Sequence, residues 1–200
     1  MGSIPRTIRE QVTSQIRDEL VAGTFPAGSA LRESELAERF GVSRGPIRDA
    51  LLQLSNEGFL AYQANRGVTV RHPPDPDDRE FITSLRTQLE THVIKKGIAT
   101  LSEESINKIE SALNNLKSAC DSGDVAAIAS CDMAFHQAVL VGCGGEDLVP
   151  AWKQLCSRML LIYTRLTDYQ QAYREHVQIF EALQAKKKQA AIAALKTNIK

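Results

Sequence analysis

The run from Leu31 to Leu51 constrains the fold more than any other part of this 200-residue chain. Leu36, Ala37, Phe40, Ile47, Leu51 and Leu54 recur at helical intervals on either side of Gly41-Val42, so two short helices joined by a tight turn can share one small core. Ser43 stands where an N-cap belongs, and Pro46 falls in the first turn of the second helix, where a missing N–H costs nothing. Arg44 and Arg48 sit four residues apart and project together from the face opposite the core. A helix-turn-helix divides its labour this way. Its second helix enters the major groove by its N-terminal residues, and arginine there pairs bidentately with guanine or with phosphate.

The flanks extend the pattern. Upstream, Ile8, Val12, Ile16 and Leu20 mark a first helix that Gly23, Pro26 and Gly28 bring to an end. Downstream of Gly58, residues 59–63 alternate like a short strand, Ala64-Asn65-Arg66-Gly67 supplies a turn, and Val68-Thr69-Val70 forms a second, β-branched strand. These make the hairpin of a winged helix. On these residues the chain resembles the DNA-binding domain of the GntR family of bacterial transcription regulators over residues 8–71. The matching elements are the Gly23 to Gly28 turn, Leu31 to Phe40, Gly41-Val42-Ser43-Arg44 with Pro46 and Arg48, and Asn56-Glu57-Gly58 before the wing. The resemblance implies a palindromic double-stranded DNA operator read by a homodimer, with Arg32, Ser43, Arg44, Arg48, Asn65, Arg66 and Gly67 at the interface.

Net formal charge is zero, which by itself does not point to nucleic acid. Residues 1–73, however, carry nine arginines and no lysine against eight acidic residues, so arrangement on one face counts for more than balance. Cys120, Cys131, Cys143 and Cys156 lack the close spacing of zinc motifs and read as reduced thiols of a cytoplasmic protein. No apolar run resembling a membrane span and no signal-peptide core stand out, so no membrane partner is expected.

His72-Pro73-Pro74-Asp75-Pro76-Asp77-Asp78 removes backbone donors and fixes φ at three positions. The expected organisation is therefore a winged helix-turn-helix over 1–71, a proline-rich linker over 72–78 and an antiparallel all-helical bundle over 79–200. Periodicity and capping residues predict helices near 79–100, 102–122, 124–141, 147–167, 169–185 and 187–198. The fold class is mainly α.

Chemistry in the second part concentrates at Asp132 and His136, four apart on one helix, where a carboxylate and an imidazole can converge on one cation. His176 lies among apolar residues that turn it inward. These positions resemble the FCD ligand-binding domain of the FadR subfamily, whose hallmark is a buried metal site with an Asp-x-x-x-His pair and two later histidines. Asp132, His136 and His176 match three of the four; Asn198 stands where the fourth is expected. Asparagine is a weaker ligand than imidazole, so the resemblance implies a weakened divalent site (zinc, nickel or manganese) or one completed by water. The alternative to a metal site is an Asp132–His136 hydrogen-bonded pair in a metal-free core.

Arg86 and Glu90 match the Arg-x-x-x-Glu pattern at the start of such a domain. Arg86 is expected either to clamp a small carboxylate effector or to form a plain intrahelical salt bridge with Glu90. Arg158 and Arg165 are further effector-binding candidates. The expected function is a transcription regulator, in the commoner logic a repressor, controlled by that effector. The alternatives are a metal-free sensor of an acyl or apolar ligand, or a metal-dependent enzyme using the Asp/His/His centre to activate water.

Overall fold

The computed structural model describes residues 7–63, 67–161 and 168–199. Helix α1 (Ile8–Val21) opens with a capping box in which the Thr7 hydroxyl accepts from the Glu10 amide and the Glu10 carboxylate accepts from the Thr7 amide. Its buried face, Val12, Ile16 and Leu20, packs on α3. Helices α2 (Glu33–Phe40) and α3 (Arg44–Glu57) flank Gly41, which takes the left-handed conformation (φ 64°) that the tight turn requires. Strands β2 (Leu60–Gln63) and β3 (Gly67–Val70) pair in antiparallel register, Leu60 opposite Val70 and Tyr62 opposite Val68. A two-residue strand, β1 (Ala30–Leu31), adds to the other edge of β3. Two residues are too few for alternation to announce β1, which is not among the elements expected from sequence.

The expected 72–78 linker is shorter in the structure, because helix α4 (Pro76–Gly97) already begins at Pro76. Asp75 caps it by accepting from the Asp78 amide, and Pro76 occupies the first helical position, where its fixed φ is an asset. Helices α5 (Glu103–Ser122), α6 (Val125–Gly142), α7 (Val149–Leu160), α8 (Tyr169–Gln184) and α9 (Lys188–Asn198) complete the bundle. Helix α7 starts two residues later than the pattern predicts, since a 3-10 turn, Glu146–Leu148, intervenes. Phe135, Ile94, Ile109, Val139, Ile179, Leu183 and Leu195 form the bundle's core.

By length and mean hydropathy alone, α6 could cross a membrane, contrary to the expectation that no run comes close. In the fold it packs against α5, α1, α4 and α7, and it carries Asp132 and His136 inward. The two parts of the chain are also joined: Ala129 of α6 and Leu160 of α7 belong to the same apolar cluster as Ile16, Ile47, Leu54 and Phe59.

Helix α4 meets the turn after α6 at Gly97, where a Cβ would collide with the backbone carbonyl of Cys143. Because backbone cannot swing aside as a side chain can, Gly97→Ala is expected to cost about 1–3 kcal/mol of stability by over-packing. Urea denaturation would read this as a lower midpoint with an unchanged m-value.

Candidate functional site

Two regions carry chemistry. The first is the exposed start of α3. Ser43 takes the extended N-cap conformation, but its hydroxyl makes no capping bond. Arg44 and Arg48 are both exposed on the turn that follows. The Arg48 guanidinium is bidentate to Glu33 of α2, Nε to Oε1 at 3.0 Å and Nη2 to Oε2 at 2.9 Å. The hydrogen bonds from Arg48, with the charges of Arg48 and nearby Arg44, hold the Glu33 carboxyl below its usual range against the opposing effect of burial. Arg32 pairs with Glu35 one turn along. Gly67 begins β3 with φ 73°, a conformation that favours glycine. Asn65 and Arg66 lie outside the described residues, as does Arg165.

The second region is buried within the bundle. Glu90, fully buried on α4, receives three donors. Arg86 Nε reaches its Oε1 at 2.8 Å, Trp152 Nε1 of α7 reaches the same oxygen at 2.7 Å, and His136 Nδ1 of α6 lies 2.7 Å from Oε2. Of the two sequence readings of Arg86, the intrahelical bridge is present; its Nη2 is buried with no hydrogen-bond partner. The Asp132–His136 pair considered from sequence does not form, because His136 turns to Glu90 and Asp132 to His176.

These bonds fix the imidazoles. A carbonyl only accepts, so His176 Nδ1, 2.7 Å from the Ala172 carbonyl oxygen, carries the proton. An ionised Glu90 likewise leaves the proton on His136 Nδ1. With Nδ1 engaged in each ring, Nε2 is the remaining nitrogen. His136 Nε2 is buried without a partner. His176 Nε2 lies 3.0 Å from Asp132 Oδ1. A lone pair facing a carboxylate at that distance is repulsive unless a proton or a cation stands between them. The ligand atoms of Asp132, His136 and His176 all fall within 4.8 Å of one another, and N/O donors of this kind suit a divalent transition metal. Glu90 supplies the carboxylate–histidine pairing that commonly orients a metal ligand.

Electrostatics follow the same geometry. Burial pushes Glu90 upward, but His136 and Arg86 outweigh it and hold the carboxyl down at about 2. Asp132 is also lowered well below the usual carboxylate range, by His176, His136 and Arg86 against burial. For His176, burial favours the neutral ring, whereas Asp132 raises its pKa overall. Burial pushes the neighbouring Cys156 thiol up to about 12, so it stays neutral beside Arg86.

The remaining residues fall elsewhere. Asn198 sits with its amide nitrogen 3.3 Å from His176 Nδ1, behind the ring rather than on its Nε2 side. Arg158 packs over Gly58 at the junction with the winged helix, away from the buried centre. Trp152 and the second role of Glu90 were missed from sequence. One signal was available: a lone tryptophan among apolar residues needs a partner for its indole N–H once buried.

A winged helix with arginines at the mouth of its second helix, joined to a helical bundle with a buried polar centre, defines a DNA-binding transcription regulator rather than an enzyme. Residues 8–70 match the model for bacterial regulatory proteins of the gntR family, and residues 81–200 match the FCD domain. The chain belongs to the GntR family, in the FadR-like subfamily with a C-terminal FCD domain. Among curated proteins it is 27% identical over 187 residues to a probable D-xylose utilization operon transcriptional repressor of Paenarthrobacter nicotinovorans, covering 90% of this chain and 82% of that one. It is 24% identical over 181 residues to the transcriptional repressor RspR of Escherichia coli, covering 88% and 79%. The solved structure of E. coli McbR/YncC superposes with a TM-score of 0.79 at 22% identity, covering 98% of this chain and 94% of that one, a likeness of fold.

Proposed function

We propose that this chain acts in the cytoplasm as a homodimeric repressor whose grip on a short palindromic operator is set by a small carboxylate metabolite bound at a metal-containing centre. The observation carrying this reading is the buried constellation of His136 and His176, the Asp132 carboxylate and the unpartnered Arg86 Nη2. Asp132, His136 and His176 would hold the metal. Zinc, nickel and manganese all suit the donor set. Once bound, the ion would supply Lewis acidity toward a carboxylate oxygen. Arg86 would take another oxygen of the same ligand, its Nη2 gaining the acceptor it lacks.

On the DNA side, Arg44 and Arg48 would enter the major groove, with Ser43 and Arg32 near phosphates and the wing residues Asn65, Arg66 and Gly67 alongside. The names of the two curated relatives support repression as the direction of control.

Elemental analysis of protein purified without chelator tests the sensor. About one metal ion per chain is expected, and His136→Ala prepared identically should lose it. Its absence from both proteins would favour a metal-free cavity for an acyl or apolar ligand. Turnover of a bound carboxylate that His136→Ala abolishes would instead make the centre catalytic.

A further inference from the structure

We infer that Glu90 and Trp152 couple the metal centre to the DNA-reading helix, with α7 as the lever between them; this rests on the metal-centred reading above. Helix α7 works on two faces. Trp152 and Cys156, four residues apart, point into the bundle, where the Trp152 indole donates to Glu90. On the other side, Gln154 Nε2 donates to the Asn56 carbonyl at 3.2 Å, and the Ser157 hydroxyl donates to the Glu57 carbonyl. Asn56 and Glu57 are the last two residues of α3, where backbone carbonyls have no partner within the helix. Helix α7 therefore supplies, from the other part of the chain, the acceptors' missing donors at the end of the recognition helix. Gly58 has φ 95°, a conformation that favours glycine, and a Cβ there would stand 3.3 Å from Ser157 Oγ.

The buried end of this connection is poised to respond. Glu90 Oε1 is shared by Arg86 Nε and Trp152 Nε1, while Oε2 takes His136 Nδ1. An anion engaging the free Arg86 Nη2 draws the guanidinium away from Oε1, and coordination at His136 Nε2 fixes the ring that holds Oε2. Either event changes what Glu90 offers Trp152. At the other end of the connection, a cleft of about 310 Å³ bordered by Met133, Lys153, Ser157, Gln53 and Glu57 leaves α7 room to reseat against α3. Helix α3 has 14 residues, roughly 21 Å of rigid rod, so movement at its last turn is delivered to Arg44 and Arg48 at its first.

Trp152 is the only tryptophan, so the full chain carries its own reporter. The experiment titrates zinc ion into metal-stripped protein, reading uptake by calorimetry, indole emission, and hydrogen exchange of the amides at the end of α3. In the wild type, zinc should shift emission and change exchange over residues 54–59 by about threefold or more, the range of local opening. Trp152→Phe should take up zinc within about threefold of wild-type affinity, with no change at α3. A Gln154→Ala, Ser157→Ala double variant should keep the emission response and lose the α3 response, which covers the case of a poorly folded Trp152→Phe. An α3 response that persists in the double variant, or zinc uptake in the wild type with α3 silent, overturns the coupling. Failure of the wild type to take up zinc overturns the metal reading itself, and the coupling with it.

Discussion

Glu90→Ala is expected to be the most damaging single substitution in the bundle, lowering unfolding free energy by about 3–5 kcal/mol, the usual result of stripping one partner from a buried ion pair. Glu90 is 0% exposed and is the acceptor for Arg86, His136 and Trp152 at once, so its loss orphans three buried donors in one step. Glu90→Gln keeps the shape but brings its own N–H donors toward a cluster already rich in donors, and should fall between the two. Urea denaturation followed by Trp152 emission reads both. The pH dependence has a definite sign. Glu90 is held at about 2 against an ordinary 4.5, so the stability it contributes is present above the ordinary value and is lost as pH falls toward 2. In metal-stripped protein, stability should therefore decline from about pH 5 downward. Glu90→Ala should have a shallower acid limb; Asp132, lowered in the same direction, keeps it from being flat. An acid limb as steep in the variant as in the wild type would falsify the account of Glu90 as an ionised hub.

What sequence could disclose here was set by distance along the chain. The helix-turn-helix was legible because its signals are local: Gly41 must be left-handed, Ser43 precedes the helix, and the Ile47, Leu51 and Leu54 stripe repeats every three or four residues. Asp132 and His136 were legible for the same reason. Pro76 misled, since a proline reads as a break in a linker and as a start at the first position of a helix, and only the cap at Asp75 decides between them. Arg86 and Glu90 could be read as a pair but not weighed. The same spacing on a surface makes a screened bridge of small consequence, and burial turns it into the organising charge of the site. Trp152 meeting Glu90, Ser157 meeting Glu57 and Arg48 meeting Glu33 join residues 62, 100 and 15 positions apart, and no local periodicity encodes such encounters.

On the DNA side, Arg48→Ala should weaken binding to the specific operator by roughly ten- to a hundredfold, the range for losing one bidentate arginine contact. The operator itself can be recovered by selecting random-sequence duplexes on the purified protein, with fluorescence anisotropy as the readout. The Glu33 bridge sharpens the prediction. In the free protein Arg48 is held bidentate in the geometry that a guanine edge also offers, although its side chain is 68% exposed and accessible to DNA. DNA must displace or share that carboxylate, and Glu33 itself repels phosphate. Glu33→Gln should therefore raise affinity for unrelated duplex more than for the operator, lowering the ratio between them, because a released Arg48 samples phosphates freely. Arg48→Ala should do the reverse to absolute affinity, costing the operator far more than random DNA. Salt separates the two roles Arg48 can play. If it reads a base, its removal leaves the slope of log affinity against log salt nearly unchanged; if it neutralises a phosphate, the slope falls by about one. Equal losses on operator and random duplex, with a reduced slope, would move Arg48 from reading sequence to holding the backbone, and would leave Arg44 as the base-reading arginine of α3.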